Sequence, residues 1–202
     1  MKAILATNNM HKVDEFKRFF ADAGISIELV PIKESGFTGE IIENADTFEG
    51  NAFIKADALC RYSGMISIAD DSGLCVDALG GAPGVYSSRY SGAFANDAKN
   101  NAKLLSELKD VPFEKRTARF VSVICVRRPD GKTLYVRGEA EGFILESPRG
   151  KGTFGYDPLF YYPPLKKTFA ELEGGEKNAV SHRGNALKAL AEHKEFFDTR
   201  CE

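Results

Sequence analysis

The chain of 202 residues has no apolar run long enough to span a bilayer, which takes about 20 residues as a helix. No signal-peptide pattern precedes its first strand-like segment, so the expectation is a cytoplasmic protein without a membrane partner. Cysteine is scarce. Cys60, Cys75, Cys125 and Cys201 form no Cys-x-x-Cys pair and no Cys/His metal spacing. Cys60, Cys75 and Cys125 lie in apolar contexts and read as reduced core residues. Excess charge is also missing. A net charge of -2 gives no broad electrostatic footprint for duplex nucleic acid, so no nucleic-acid partner is expected. A nucleotide-sized polyanion needs only a local basic pocket. No Ser/His/Asp order, H-E-x-x-H or G-x-x-x-x-G-K-[ST] occurs, which removes support for serine hydrolases, zincins and Walker ATPases. What remains, 43% hydrophobic and 28% charged, is an ordinary globular composition.

Lys2-Ala3-Ile4-Leu5-Ala6 reads as a strand running into Thr7-Asn8-Asn9-Met10-His11-Lys12. A helix follows with Val13, Phe16, Phe19/Phe20 and Ala23 on one face, and Gly24 stops it. Ile25 to Val30 alternates as a strand, and Pro31 to Asp46 is an acidic irregular segment. Thr47 caps a helix to about Ser63, ended by Gly64. Ser67 to Asp71 is a short strand, and Leu74 to Val76 resumes an extended segment. Asn96 to Leu108 is helical. Thr117–Arg127 and Thr133–Ala140 form a hairpin across Pro129-Asp130-Gly131, and Phe143 to Leu145 continue its sheet. Gly150 to Tyr156 is a glycine-rich loop before a last helix capped by Ser181. Alternating elements followed by a hairpin predict an α/β fold with a mixed sheet flanked by helices. We read residues 1–202 as a single domain with two lobes and a central cleft, with Lys99 or Pro112 marking the passage between lobes.

Two helix starts carry basic residues, His11-Lys12 and His182-Arg183. The helix dipole disfavours cations there, so an anion such as phosphate is expected nearby. Lys12 is then dispensable for the fold but needed for catalysis. Asp70-Asp71-Ser72-Gly73 is the strongest catalytic candidate. Adjacent strand residues face opposite sides, so one aspartate does chemistry while the other makes structural hydrogen bonds. The same residues would also serve as an acidic turn capped by Ser72. Magnesium prefers one or two carboxylates plus waters and phosphate oxygens. Glu40, Glu43, Asp46 and Glu49 offer further carboxylates. Lys55 either reaches a phosphate or snorkels from its helix. In Thr153-Phe154-Gly155-Tyr156-Asp157-Pro158, aromatics beside a glycine either stack on a base or pack as a turn. Lys177 adds a cation before the last helix.

These segments, in order, resemble the inosine/xanthosine triphosphate pyrophosphatases of the Ham1/RdgB type. The likeness rests on Thr7-Asn8-Asn9-x-x-Lys12, Thr47-Phe48 with Asn51-Ala52 and Lys55-Ala56, Ala69 to Leu74, Gly80-Gly81-Ala82-Pro83-Gly84, Ser88-Arg89-Tyr90, Phe154 to Pro158, Glu176-Lys177 and Ser181-His182-Arg183-Gly184. The resemblance implies an elongated, two-lobed homodimer that needs magnesium and cleaves ITP, dITP and XTP to monophosphate and pyrophosphate. It implies Asp71 as general base and metal ligand, with Glu43 as the second ligand. It implies Thr7, Asn8, Asn9, Met10, His11, Lys12 and Lys55 at the phosphates. Ser72, Phe154, Gly155, Tyr156, Asp157, Lys177, His182 and Arg183 match further substrate-binding positions. Two segments depart from the family pattern. Gly50 stands where many relatives have Glu, and Asn44-Ala45 stand where relatives often have Thr-Gly. Glu49 is adjacent to the missing carboxylate but about 100° away around a helix.

Overall fold

The computed structural model describes residues 1–92, 96–151 and 154–197, the side chain of His11 excepted. Among the described residues there are seven strands: β1 (Lys2–Leu5), β2 (Glu28–Pro31), β3 (Ile66–Val76), β4 (Thr117–Arg127), β5 (Thr133–Ile144), β6 (Phe160–Tyr162) and β7 (Lys167–Thr168). The helices are α1 (Met10–Asp22), α2 (Phe48–Ser63), α3 (Asp97–Glu107), α4 (Gly174–Val180) and α5 (His182–Ala191). The strands form one mixed sheet in the order β2-β1-β3-β4-β5-β6-β7. β1 pairs parallel with β2 and β3, and β6 pairs antiparallel with β5 and β7.

The chain divides into two compact units, Met1–Asp71 with Ser122–Gly138 and Ala186–Glu202, and Ser72–Val121 with Glu139–Asn185. This corrects the expected passage at Lys99 or Pro112. The chain changes unit inside β3, β4 and β5 and again after Asn185, so no single linker separates the lobes. The first unit buries one apolar cluster. α1 contributes Val13, Phe16 and Phe20, whose helical spacing puts them on one face against Leu5, Leu29, Ile68, Leu187 and Leu190. Each such side chain stabilises the unit by roughly 1.5–3 kcal/mol when fully buried. The second unit has its own cluster, in which Leu104 and Leu108 meet Phe120, Leu159, Phe160 and Phe169.

Local chemistry sets the element ends. The Thr47 side chain accepts from Gly50 N, and Gly64 closes α2 in the left-handed region at φ 65° while donating to Cys60 O. β3 is one strand of 11 residues and not two short ones. Asp70 and Asp71 therefore sit inside a continuous strand, and Gly73 does not break it. β2 begins at Glu28, later than the alternation starting at Ile25 indicates. α4, β6 and β7 are short elements that the sequence pattern does not announce. Cys60 and Cys125 are buried and Cys75 partly so, all three free, while Cys201 and Thr153 lie outside the described residues.

Candidate active site

The reactive side chains form two groups, one in each unit. In the first unit, β1 leads into a tight turn. Thr7 Oγ1 accepts from Asn9 N at 3.1 Å, and Asn9 O accepts from Val13 N at 3.1 Å. Asn9 Oδ1 also accepts from Lys12 N at 3.4 Å, so Asn9 occupies the N-cap of α1. Asn8 and Met10 are exposed on this turn, and the His11 side chain lies outside the described residues. The Lys12 ammonium pairs with Asp70 Oδ1. The Asp70 side chain is only 2% exposed, and its Oδ2 accepts from Ser122 Oγ on β4 at 3.0 Å. The expectation that Lys12 is dispensable for the fold therefore gives way. Asp70 supplies an anion at this helix start, and Lys12 is the counter-charge of a buried carboxylate.

Asp71, on the other side of the same strand, meets Lys55 instead. Lys55 Nζ, on α2, donates to Glu43 Oε2 at 2.5 Å and to Asp71 Oδ1 at 3.2 Å. Burial alone would lower the Lys55 pKa. The charges of Asp71 and Glu43, the hydrogen bond to Glu43 and the charge of Asp70 outweigh it, so the pKa rises above the usual lysine value. Burial raises the Asp71 pKa. Lys55 pulls it back by charge and hydrogen bond, Glu43 and Asp70 push it up, and the net shift is upward. The Lys55 shift comes from its carboxylate neighbours, and the Asp71 shift comes first from burial, with Glu43 and Asp70 adding to it. Asp71 Oδ2 is buried and has no hydrogen-bond partner.

Glu43 and Asp71 thus converge on one cation, and one of their oxygens is left without a donor. That donor set suits a hard divalent ion needing one or two carboxylates. Among the described residues, no group of three His, Cys, Asp or Glu side chains is placed to hold a metal. Glu49 does not join the cluster, because its Oε1 accepts from Arg137 Nη1 at 2.8 Å. The two departures from the family pattern touch each other. A Cβ on Gly50 would lie 2.6 Å from Ala45 Cβ, so the methyl at 45 fills the space that a side chain at 50 needs. Asn51, 1% exposed, accepts from Ala45 N at 2.9 Å and ties the Glu43 segment to α2.

In the second unit, Ser181 caps α5, its Oγ accepting from Gly184 N at 3.0 Å. A Cβ on Gly184 would lie 1.9 Å from Asn178 O, so only glycine fits where α4 approaches α5. His182 and Arg183 are each 8% exposed. The His182 ring stacks on Phe120 at 4.8 Å and 15°, and Arg183 Nη2 donates to Ser72 Oγ at 3.2 Å. Both side chains are buried parts of a framework, not solvated ends. Lys177 donates to Asp157 Oδ2, and its ammonium lies 5.4 Å from the Phe154 ring centre. Asp157 and Tyr156 are buried, whereas Phe154 is 52% exposed. Gly155 N donates to Asp97 Oδ2 at 2.8 Å, and Gly155 O accepts from Asn101 Nδ2 at 2.9 Å.

The structure thus groups Lys12, Lys55, Glu43 and Asp71 in one unit. It groups Ser72, Arg183, His182 and the Phe154–Asp157 loop with Lys177 in the other. Three contributors escaped the sequence reading: Ser122, Asp97 and Asn101. Asp97 and Asn101 share a helix face by their spacing of four, but their partner is more than 50 positions away in the chain.

Comparison with known proteins places the chain in a family. The model of the Ham1 family matches residues 3–193. The dITP/XTP pyrophosphatase of Desulforamulus reducens is 51% identical over 193 residues, covering 95% of this chain and 94% of that protein. The dITP/XTP pyrophosphatase of Clostridium perfringens is 47% identical over 198 residues, 95% of this chain and 96% of that one. The structure of the Staphylococcus aureus Ham1 protein superposes with a TM-score of 0.89 at 38% identity, covering 98% of this chain and 100% of that chain. The match over nearly the whole sequence and the whole fold makes this chain a member of the Ham1 family.

Proposed function

We propose that the protein hydrolyses ITP, dITP and XTP to the monophosphate and pyrophosphate, with magnesium, as a cytoplasmic homodimer that removes deaminated purines from the nucleotide pool. The names of the relatives support the substrate class. The observation that carries the chemistry is Asp71. One of its oxygens is held by Lys55 and the other is buried without a hydrogen bond.

Glu43 and Asp71 would hold the magnesium ion, which when bound polarises phosphate oxygens and lowers the pKa of nearby water. Asp71 Oδ2 accepts the proton of the water that attacks the α-phosphorus. Burial makes it a stronger base than an ordinary carboxylate. The bond from the α-phosphorus to the bridging oxygen breaks, and pyrophosphate leaves. Lys12 and Lys55 neutralise the charge developing on it. Base choice belongs to the second unit. Arg183, held by Ser72, and His182, held by Phe120, donate to the 6-keto oxygen of hypoxanthine or xanthine. The amino group of adenine leaves these donors unpaired, which is costly in a buried site. The exposed Phe154 face stacks the base, worth about 1–3 kcal/mol.

The test is pyrophosphate release from ITP, dITP, XTP, GTP and ATP, with magnesium and with EDTA. Release from the first three, abolished by EDTA and restored by magnesium, is expected. Equal turnover of ITP and ATP, or release of orthophosphate only, would overturn the reading.

A further inference from the structure

We propose that Asp97 and Asn101 are positioning residues for base recognition, acting through Gly155. This rests on the reading that the Phe154–Asp157 loop contacts the base. Asn96 caps α3 by accepting from Lys99 N at 2.9 Å. That puts Asp97 in the first turn and Asn101 one turn later on the same face. The two side chains grip one residue from both ends. The Asp97 carboxylate takes the N–H of Gly155 at 2.8 Å, and the Asn101 amide donates to its carbonyl at 2.9 Å.

The gripped residue is the one with most freedom. Gly155 sits in the left-handed region at φ 54°, where a glycine carries no Cβ penalty but also no side chain to anchor it. Its neighbours are the exposed Phe154 and the buried Tyr156. Tyr156 Oη donates to Ser87 O at 2.8 Å. Asn100, just before Asn101 on α3, extends the same bracket. Asn100 Nδ2 donates to Ser88 O at 3.1 Å, and Asn100 Oδ1 accepts from Ser91 N at 2.8 Å. Ser87 Oγ in turn accepts from Leu74 N at 2.9 Å, two residues beyond Ser72, the partner of Arg183. Helix α3 therefore references the aromatic loop to the strand that holds the specificity arginine. Neither Asp97 nor Asn101 touches substrate in this scheme. They fix where the Phe154 ring stands.

Three variants separate positioning from simple stability. Asp97→Ala removes the acceptor, and Asp97→Asn keeps an oxygen in its place. Asn101→Asp is isosteric but sets an oxygen against the Gly155 carbonyl. Two readouts are used, kcat and KM for ITP and ATP, and hydrogen exchange at the Gly155 amide. Asp97→Ala and Asn101→Asp should raise KM for ITP about tenfold, the scale of one lost hydrogen bond, with kcat nearly kept. The ITP preference over ATP should shrink, Gly155 exchange should accelerate in Asp97→Ala, and Asp97→Asn should restore both. Unchanged exchange in Asp97→Ala would overturn the grip itself. Faster exchange with unchanged ITP preference would overturn the role of the loop at the base while leaving the grip. An equal loss of kcat on both nucleotides, tracking a lower melting temperature, would reduce both residues to structural parts and overturn the proposal.

Discussion

The two groups of side chains are built on opposite principles. In the first unit, Lys12 and Lys55 face Asp70, Asp71 and Glu43, and nearly every contact is between full charges. In the second unit most contacts run from a side chain to a backbone atom or an aromatic ring. Gly155 is held by Asp97 and Asn101, Ser87 O by Tyr156, and His182 by Phe120. Charge pairs can exchange partners when another charged group arrives. Hydrogen bonds to the backbone and ring stacks fix geometry and discriminate shape. On the proposed function, work on the phosphates and choice of the base are separable, and substitutions in the two groups should have different signatures.

The largest effect is expected at Asp71. Asp71→Asn keeps the shape but cannot take a proton, so ITP turnover should fall by at least about two orders of magnitude, the scale of a general base. The melting temperature should hold or rise, because a buried charge is replaced by a neutral group. Turnover within a few-fold of wild type would remove Asp71 from the mechanism.

Lys12 breaks the comparison from the side of stability. Lys12→Ala strands the Asp70 carboxylate, which is 2% exposed. Breaking a buried pair costs roughly 3–5 kcal/mol, and the remaining Ser122 bond and the partial exposure of Lys12 bring the expected loss to about 2 kcal/mol. Denaturant titration of Lys12→Ala, Asp70→Asn and the double variant measures it. The double variant should recover most of the loss. A full loss in the double variant would show that Lys12 stabilises by packing and not as a counter-charge.

Gly50 gives the smallest effect and sharpens the metal side of the comparison. Gly50→Ala should gain helix propensity of about 1 kcal/mol, yet its Cβ meets Ala45 Cβ at 2.6 Å, and overpacking costs roughly 1–3 kcal/mol. Net destabilisation of about 1 kcal/mol is expected, and Ala45→Gly in the same chain should convert it to a gain. Additive effects of the two changes would show that the positions do not interact.

Local signals made much of the fold legible. Thr47 and Gly64 bracket α2 because a cap and a left-handed stop are written in one or two residues. The face of α1 follows from the spacing of Val13, Phe16 and Phe20. α4, β6 and β7 are not legible, because seven, three and two residues are too few to show a period. The candidate site divides in the same way. Asp71, Lys55 and Glu43 stand in recognisable segments. The pairing of Lys12 with Asp70 spans 58 positions, and a rule about helix ends could not see it. The expected anion at that helix start was partly the protein's own. Nothing in the sequence pattern marks Asp97 and Asn101, and only their distance to Gly155 gives them a role.

The division of labour between the two groups is tested most directly by kcat/KM for ITP and for ATP in wild type, Lys55→Ala and Arg183→Ala. Lys55→Ala should lower both values by the same factor and leave their ratio unchanged, because every nucleotide carries the same phosphates. Arg183→Ala should lower the ITP value and leave ATP low or slightly raised, so the ratio collapses toward one. A changed ratio in Lys55→Ala, or an unchanged one in Arg183→Ala, would contradict the account.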